Sequence, residues 1–384
     1  MGSTRITKSS KGVQEWHTVG TTEADYTTIQ AAVDDGKSKL KLITDITTSA
    51  DVTLPADYCL TIDLNTKIAT FAPDVRILNG YSVEVIDNTG YRKGEVNFST
   101  TNTTGFQGIT ATYSIARGIV VRNITTTSGF SFTTNPTQFF KQHKDCNINF
   151  SNTSLNRIEY AHNCILIGGG TSCSELFAQN TNYEVQIKNC VLQNDFRSSS
   201  FLGKASFSNV KGSFTLLMFL RIYGNNDNIQ LTNCNVIIED PSTNINNITC
   251  KNIDIISSNC ILNSVNVEGN FNLYSGSKQK ISNIKVNNDL YLGSFFGAEV
   301  SNSLFSNIEV LGMIYVIDSS ITLSNVMANL FLIEGDNCNL SNAYITTNLN
   351  IYSQADKTSI INTRVGGTAT DNGTNTLIWE IFTI

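Results

Sequence analysis

Metal-binding side chains are scarce in this chain of 384 residues, which has three His and nine Cys. No two Cys form a C-x-x-C pair, so the common zinc arrangements are excluded and no cofactor or metal site is expected. Charge is also thin: 15% of residues are Asp, Glu, Lys or Arg, against 40% hydrophobic. That balance suits many half-buried strands with Ser, Thr and Asn outside, and it excludes a disordered chain. A net charge of −6, with no dense Lys/Arg cluster interleaved with aromatics, argues against nucleic acid as a partner. No apolar run approaches the ~18 to 20 residues that span a bilayer, and the first thirty residues lack a signal-peptide core. The chain is therefore expected to be soluble, with no membrane insertion.

What is abundant is a repeat. An apolar-x-Asn-apolar motif returns in Ile187-Lys188-Asn189-Cys190, Phe207-Ser208-Asn209-Val210, Leu231-Thr232-Asn233-Cys234, Ile281-Ser282-Asn283-Ile284 and Phe305-Ser306-Asn307-Ile308. It continues in Leu323-Ser324-Asn325-Val326, Leu340-Ser341-Asn342-Ala343 and Ile360-Ile361-Asn362-Thr363. With Asn252 and Asn263 added, successive positions differ by 20, 24, 19, 11, 20, 24, 18, 17 and 20 residues. This is a solenoid period with one irregular place at Asn252/Asn263.

Around each Asn, apolar and polar residues alternate with a period of two, as in Ile281, Ile284 and Val286, which marks strands that bury one face. A second apolar pair follows in several repeats: Leu290/Leu292, Leu349/Ile351, Phe271/Leu273, and either Met313/Tyr315 or Ile314/Val316. A third strand fits before the next Asn, for example from Val300 to Phe305. Each repeat thus predicts one turn of a three-sided coil pairing with the turns above and below. About fifteen turns at roughly 4.8 Å predict a rod on the order of 70 Å long. Asn suits the corner because it tolerates left-handed backbone, and stacked amides hydrogen-bond along a file.

On these motifs the chain resembles the right-handed parallel β-helix, the pectin-lyase-like superfamily, where Asn commonly occupies a sharp bend in each turn. The likeness supports that role for Asn189, Asn209, Asn233, Asn283, Asn307, Asn325, Asn342 and Asn362. A further likeness lies in Asp25-Tyr26-Thr27-Thr28-Ile29-Gln30-Ala31-Ala32-Val33-Asp34, similar to the segment that precedes the first coil. The expected fold is all-β: a single-stranded right-handed parallel β-helix, a three-sided solenoid, with a short N-terminal capping helix.

The expected organisation is an N-terminal arm over 1–22, a capping helix region over 23–38, the parallel β-helix over 39–372, and a C-terminal cap or oligomerisation segment over 373–384. Thr27 or Thr28 caps the helix, which ends near Gly36 and covers the open first turn. Thr133 to Asp145, with Pro136, Phe139, Phe140 and His143, breaks the pattern and reads as a protruding loop. The cysteines Cys59, Cys146, Cys164, Cys173, Cys190, Cys234, Cys250, Cys260 and Cys338 read as free, core-filling thiols folded in a reducing compartment. Asn-x-Ser/Thr triplets at Asn97, Asn102, Asn123, Asn149, Asn152, Asn247 and Asn372 read as products of an Asn/Ser/Thr-rich composition.

Catalytic signatures are missing. Gly-His-Gly, Asn-Thr-Asp and Arg-Ile-Lys, which mark polygalacturonase-like hydrolases, are absent, as is a calcium-type cluster of Asp residues like that of pectate lyases. Asp195 with Arg197, Glu239-Asp240 before Pro241, His162 near Glu159, and Glu334 with Asp336 read as surface pairs or solvated turns, so no catalytic residue is assigned. Gly168-Gly169-Gly170 lacks the Lys of a phosphate-binding loop and reads as a turn. The resulting expectation is a non-enzymatic, rod-shaped structural or adhesion protein, and the chain's resemblance to β-helical proteins of virus particles implies a fibre, spike or surface decoration. Its partners would be a glycan or a particle surface, with self-association as a homotrimer through the apolar stretch Leu377 to Phe382. The alternative is a polysaccharide lyase or glycoside hydrolase with carboxylates in a groove of the coil.

Overall fold

The computed structural model describes residues 15–101, 107–125, 140–150, 160–167, 185–193, 205–222, 224–239, 241–293 and 300–383. The chain divides into two compact units, the first comprising Met1–Ser131 with Thr137–Asn149 and the second Phe132–Pro136 with Phe150–Ile384. Both are parallel β-solenoids.

In the first unit, one file of strands runs through His17–Val19, Lys39–Leu42, Cys59–Asp63, Ser82–Ile86, Tyr113–Arg117 and Gln142–Lys144, each parallel to the next. A second file holds Ile46–Thr48, Ile68–Phe71, Glu95–Thr100 and Val120–Thr125. Alternation explains both: Leu40, Leu60, Val83 and Val96 point inward and are buried, while their neighbours face out. The Phe71 and Phe98 rings stack at 4.4 Å, and Phe140 meets Phe98 at 5.8 Å. The helix Ile29–Asp34 starts where the Thr28 side chain accepts the Ala31 N–H, and it buries Ile29, Ala32 and Val33. It ends before Gly36, whose φ is +72°.

One expectation needs correction here. Residues 133–139 lie outside the described ones, but Phe140 to Asp145 do not protrude. Phe140 and His143 are buried, and Gln142–Lys144 is a paired strand. The inward place of this strand is taken by an imidazole, His143, where the neighbouring strands of the file hold Ala116 and Val85, which hides the strand from periodicity.

In the second unit the main file runs from Tyr160–His162 and Val185–Lys188 through Lys280–Val286 and Ser303–Val316 to Ser359–Val365 and Leu377–Thr383. Inward rows build its core, and three of them illustrate the register. Leu262, Ile281, Phe305, Leu323, Leu340 and Ile360 are in register and buried, and so are Val265, Ile284, Ile308, Val326 and Ala343. Phe271, Leu290, Ile314, Phe331 and Leu349 form the third. Ile314 and Val316, rather than Met313 and Tyr315, are the inward pair of their strand. Full burial of each large side chain contributes about 1.5–3 kcal/mol, so these rows are the main stabilising term.

One buried polar side chain on the stack, Gln279, is satisfied between turns. Gln279 accepts the Cys260 N–H at 2.9 Å and donates to the Ser257 carbonyl. Eight cysteines are described, all with free thiols, and of these only Cys59 is exposed. Cys146, Cys164 and Cys190 each point a thiol at the carbonyl two residues back, at 3.2, 3.2 and 3.1 Å. Burial pushes the Cys234 thiol up to about 12 and the Cys338 thiol up to about 11.

Bends fall where a non-glycine residue adopts positive φ: Asn189, Asn209, Asn228, Asn247, Ser264, Asn283, Asn307, Asn325, Asn342 and Asn362, all between 49° and 61°. The steps between them are 20, 19, 19, 17, 19, 24, 18, 17 and 20 residues. Their amides hydrogen-bond from turn to turn, as in Asn209 to Asn189 at 3.0 Å, Asn307 to Asn283 at 2.9 Å, Asn325 to Asn307 at 3.0 Å and Asn362 to Asn342 at 2.8 Å.

Three expected corners are corrected. Asn233 has φ +53° but belongs to another bend, where its amide donates to the Phe214 carbonyl at 3.3 Å. Asn252 donates to Asn235 at 2.7 Å and does not join the file. Asn228 and Asn247 occupy the file instead, linked at 3.2 Å. At the next turn Ser264 makes the bend and Asn263, one residue earlier, supplies the amide, accepting from Asn283 at 2.7 Å and donating to Asn246 at 3.0 Å.

Candidate functional site

Each ladder bend sends the second residue after it outward, because Ile284 and its equivalents point into the core. Those outward residues align in register as Lys285, Glu309, Met327, Tyr344 and Arg364. Together with the amides of Asn283, Asn307, Asn325, Asn342 and Asn362 they line an open groove of about 740 Å³ in the second unit.

Lys285 and Glu309 close one end as an ion pair at 2.8 Å. Met327 and Tyr344 follow, 50% and 41% exposed. Arg364 lies at the other end, exposed and without a hydrogen bond or ion pair among the described residues. A ladder Asn spends one N–H on the turn before it and one carbonyl lone pair on the turn after it, so one donor and one lone pair per amide remain available. The groove therefore combines a file of amides at the strand spacing of roughly 4.8 Å with an aromatic ring, a thioether and a guanidinium. It can hold an extended, hydroxyl-rich chain. Its lining contributes one carboxylate, Glu309, which is already paired with Lys285.

A second outward face carries Tyr291 and Tyr315, whose rings meet edge-on at 6.4 Å. Burial, and then the hydrogen bond to Glu334, push the Tyr315 phenol above its ordinary value. On the same register line, burial raises the Asp254 carboxyl despite the Asn272 amide 2.8 Å away.

Those candidates from sequence that fall among the described residues do not converge. His162 places Nε2 3.1 Å from the Asn189 amide and stacks on Tyr160, so it extends the ladder. Glu334 serves Tyr315, while Asp336 accepts the Asp356 N–H at 2.7 Å in a turn. Glu239 is half-buried at a strand end. Glu159, Asp195, Arg197, Asp240 and Gly168-Gly169-Gly170 lie outside the described residues. Among the described residues no group of three or more His, Cys, Asp or Glu is placed to hold a metal ion. The groove was missed from sequence, although the signal is simple: it is the residue two places after each ladder Asn.

No family model and no curated protein matches the chain. Among solved structures, the catalytic domain of Agl-KA aligns at 11% identity with a TM-score of 0.16, over 92% of this chain. The chain spans 64% of that domain's length. Similarity at that level carries no functional argument.

Proposed function

We propose that the protein is a non-enzymatic structural or adhesion solenoid, of the pectin-lyase-like kind displayed as a fibre, spike or decoration on virus particles, and that the ladder groove holds a glycan. The groove itself carries this reading: amides in file beside the exposed Tyr344 suit a polyhydroxylated chain lying along the stack. The rival reading, a polysaccharide lyase or hydrolase, needs a pair of catalytic carboxylates, and the groove supplies one that is ion-paired.

Self-association as a homotrimer belongs to the same reading. Leu377, Ile378 and Phe382 are 54%, 38% and 51% exposed on the last strand, an apolar edge suited to contact with another copy. The helix Ile29–Asp34 would cover the first turn.

A glycan array probed with the wild-type protein and with Tyr344→Ala tests the central claim. Binding that is lost in the variant supports it, and binding to no glycan, or equal binding by both proteins, rejects it. A monomeric mass by light scattering at micromolar concentration removes the trimer, and absence of the protein from purified particles removes the virion assignment.

A further inference from the structure

Resting on the ladder groove as a glycan site, we infer that its ligand carries a single anionic group, a carboxylate or sulfate on one terminal sugar, and that Arg364 receives it. Along the groove the outward row runs cation, anion, two uncharged side chains, cation: Lys285, Glu309, Met327, Tyr344, Arg364. Lys285 is neutralised by Glu309 at 2.8 Å. That leaves Arg364 as the one charge of the row without an ion pair among the described residues, in a chain whose net charge is −6.

A guanidinium presents a planar fork of donors that matches a carboxylate or sulfate with two parallel hydrogen bonds. Tyr344 stands in register with Arg364 on the adjacent strand, so a sugar whose anionic group rests on Arg364 lays its ring toward the phenol. The amides of Asn342 and Asn362, joined at 2.8 Å, each keep one N–H for its hydroxyls. A polyanion fits poorly. A polymer charged on every sugar would set its next charges against uncharged Tyr344 and Met327 and then against the Glu309–Lys285 pair, where none meets an unpaired cation.

The test titrates the full chain with lactose, 3′-sialyllactose, 3′-sulfolactose and an oligogalacturonate, read by calorimetry and ligand-observed NMR. At least one singly charged sugar is expected to bind about tenfold or more tighter than lactose, the ratio between the two identifying carboxylate or sulfate as the group received. This advantage should fade as salt rises past about 0.15 M. Arg364→Gln should bring the charged sugar down to the affinity of lactose, while Arg364→Lys keeps part of the gain. Thermal melts of both variants confirm folding, since the side chain is exposed.

The inference is overturned if charged and neutral sugars bind alike, if Arg364→Gln leaves the preference intact, or if the oligogalacturonate binds tightest. In each of these cases, lactose binding that Tyr344→Ala abolishes still upholds the groove as a glycan site. If no carbohydrate binds at all, both claims fall together.

Discussion

Replacing Asn325 with Ala separates the two contributions that a ladder residue makes. The Asn325 amide donates to Asn307 at 3.0 Å and accepts from Asn342 at 3.3 Å, while its backbone sits at φ +54°. Because these groups are exposed, water replaces part of what is lost, so the two hydrogen bonds together are worth about 1 kcal/mol. Holding Ala in the left-handed region costs about 1 kcal/mol more. Asn325→Ala is therefore expected to destabilise the surrounding turns by about 2 kcal/mol, and Asn325→Gly, which adopts that φ freely, by about 1 kcal/mol. A solenoid does not unfold as one cooperative block, so the assay is hydrogen exchange of the backbone amides in Ile321–Ile333 and Asn339–Ile345. For Ala, protection should fall by roughly thirtyfold. Asn339→Ala, exposed and outside the ladder, should stay within about 0.5 kcal/mol of wild type. The reasoning is refuted if Asn325→Ala leaves protection unchanged, or if Gly is no better than Ala.

Gly335 lies so close to the preceding turn that a Cβ would collide with the Asp318 carbonyl oxygen, so Gly335→Ala should lower stability by about 1–3 kcal/mol in a denaturant melt. Burial pushes the Asp87 carboxyl up, but hydrogen bonds from Thr89, Gly94 and Lys93 outweigh it and hold the group below its ordinary value of 3.8. Its stabilisation is thus present above about pH 4 and lost as pH falls through the lowered value, and Asp87→Asn should flatten the acid limb of the first unit's stability profile. Among the eight described cysteines, native labelling followed by peptide mapping should find Cys59 reacting first and the buried thiols only after unfolding.

The coil was legible in the sequence because period-two alternation around Ile281, Phe305, Leu323 and Leu340 admits only strands with one buried face. The exact file of corners was less so. Leu231-Thr232-Asn233-Cys234 has the motif yet serves a different bend, whereas Asn228 lacks it, since the residue two places before is the buried Asn226, not an apolar one. Asn226 fills that inward place by accepting the Phe207 N–H at 2.7 Å, a hydrogen bond between turns that no local pattern reveals. Spacing was the better guide: the observed steps of 19, 19, 17 and 19 residues from Asn209 to Asn283 replace the irregular 24, 19, 11 and 20. The groove depends on register between turns, so the charges of Lys285 and Glu309 cancel in space while standing 24 residues apart in the chain.

From Asn283 to Asn362 every amide donates toward the earlier turn, and Asn283, Asn307, Asn325 and Asn342 each accept from the later one. Such a one-way chain has no midpoint that differs from the rest. Adding or deleting one complete turn would splice the file without reversing any link, whereas a fragment of a turn would carry the next Asn out of the file. Length is thus a quantity that descent can adjust in whole steps, with the outward row lengthening or shortening in the same stride.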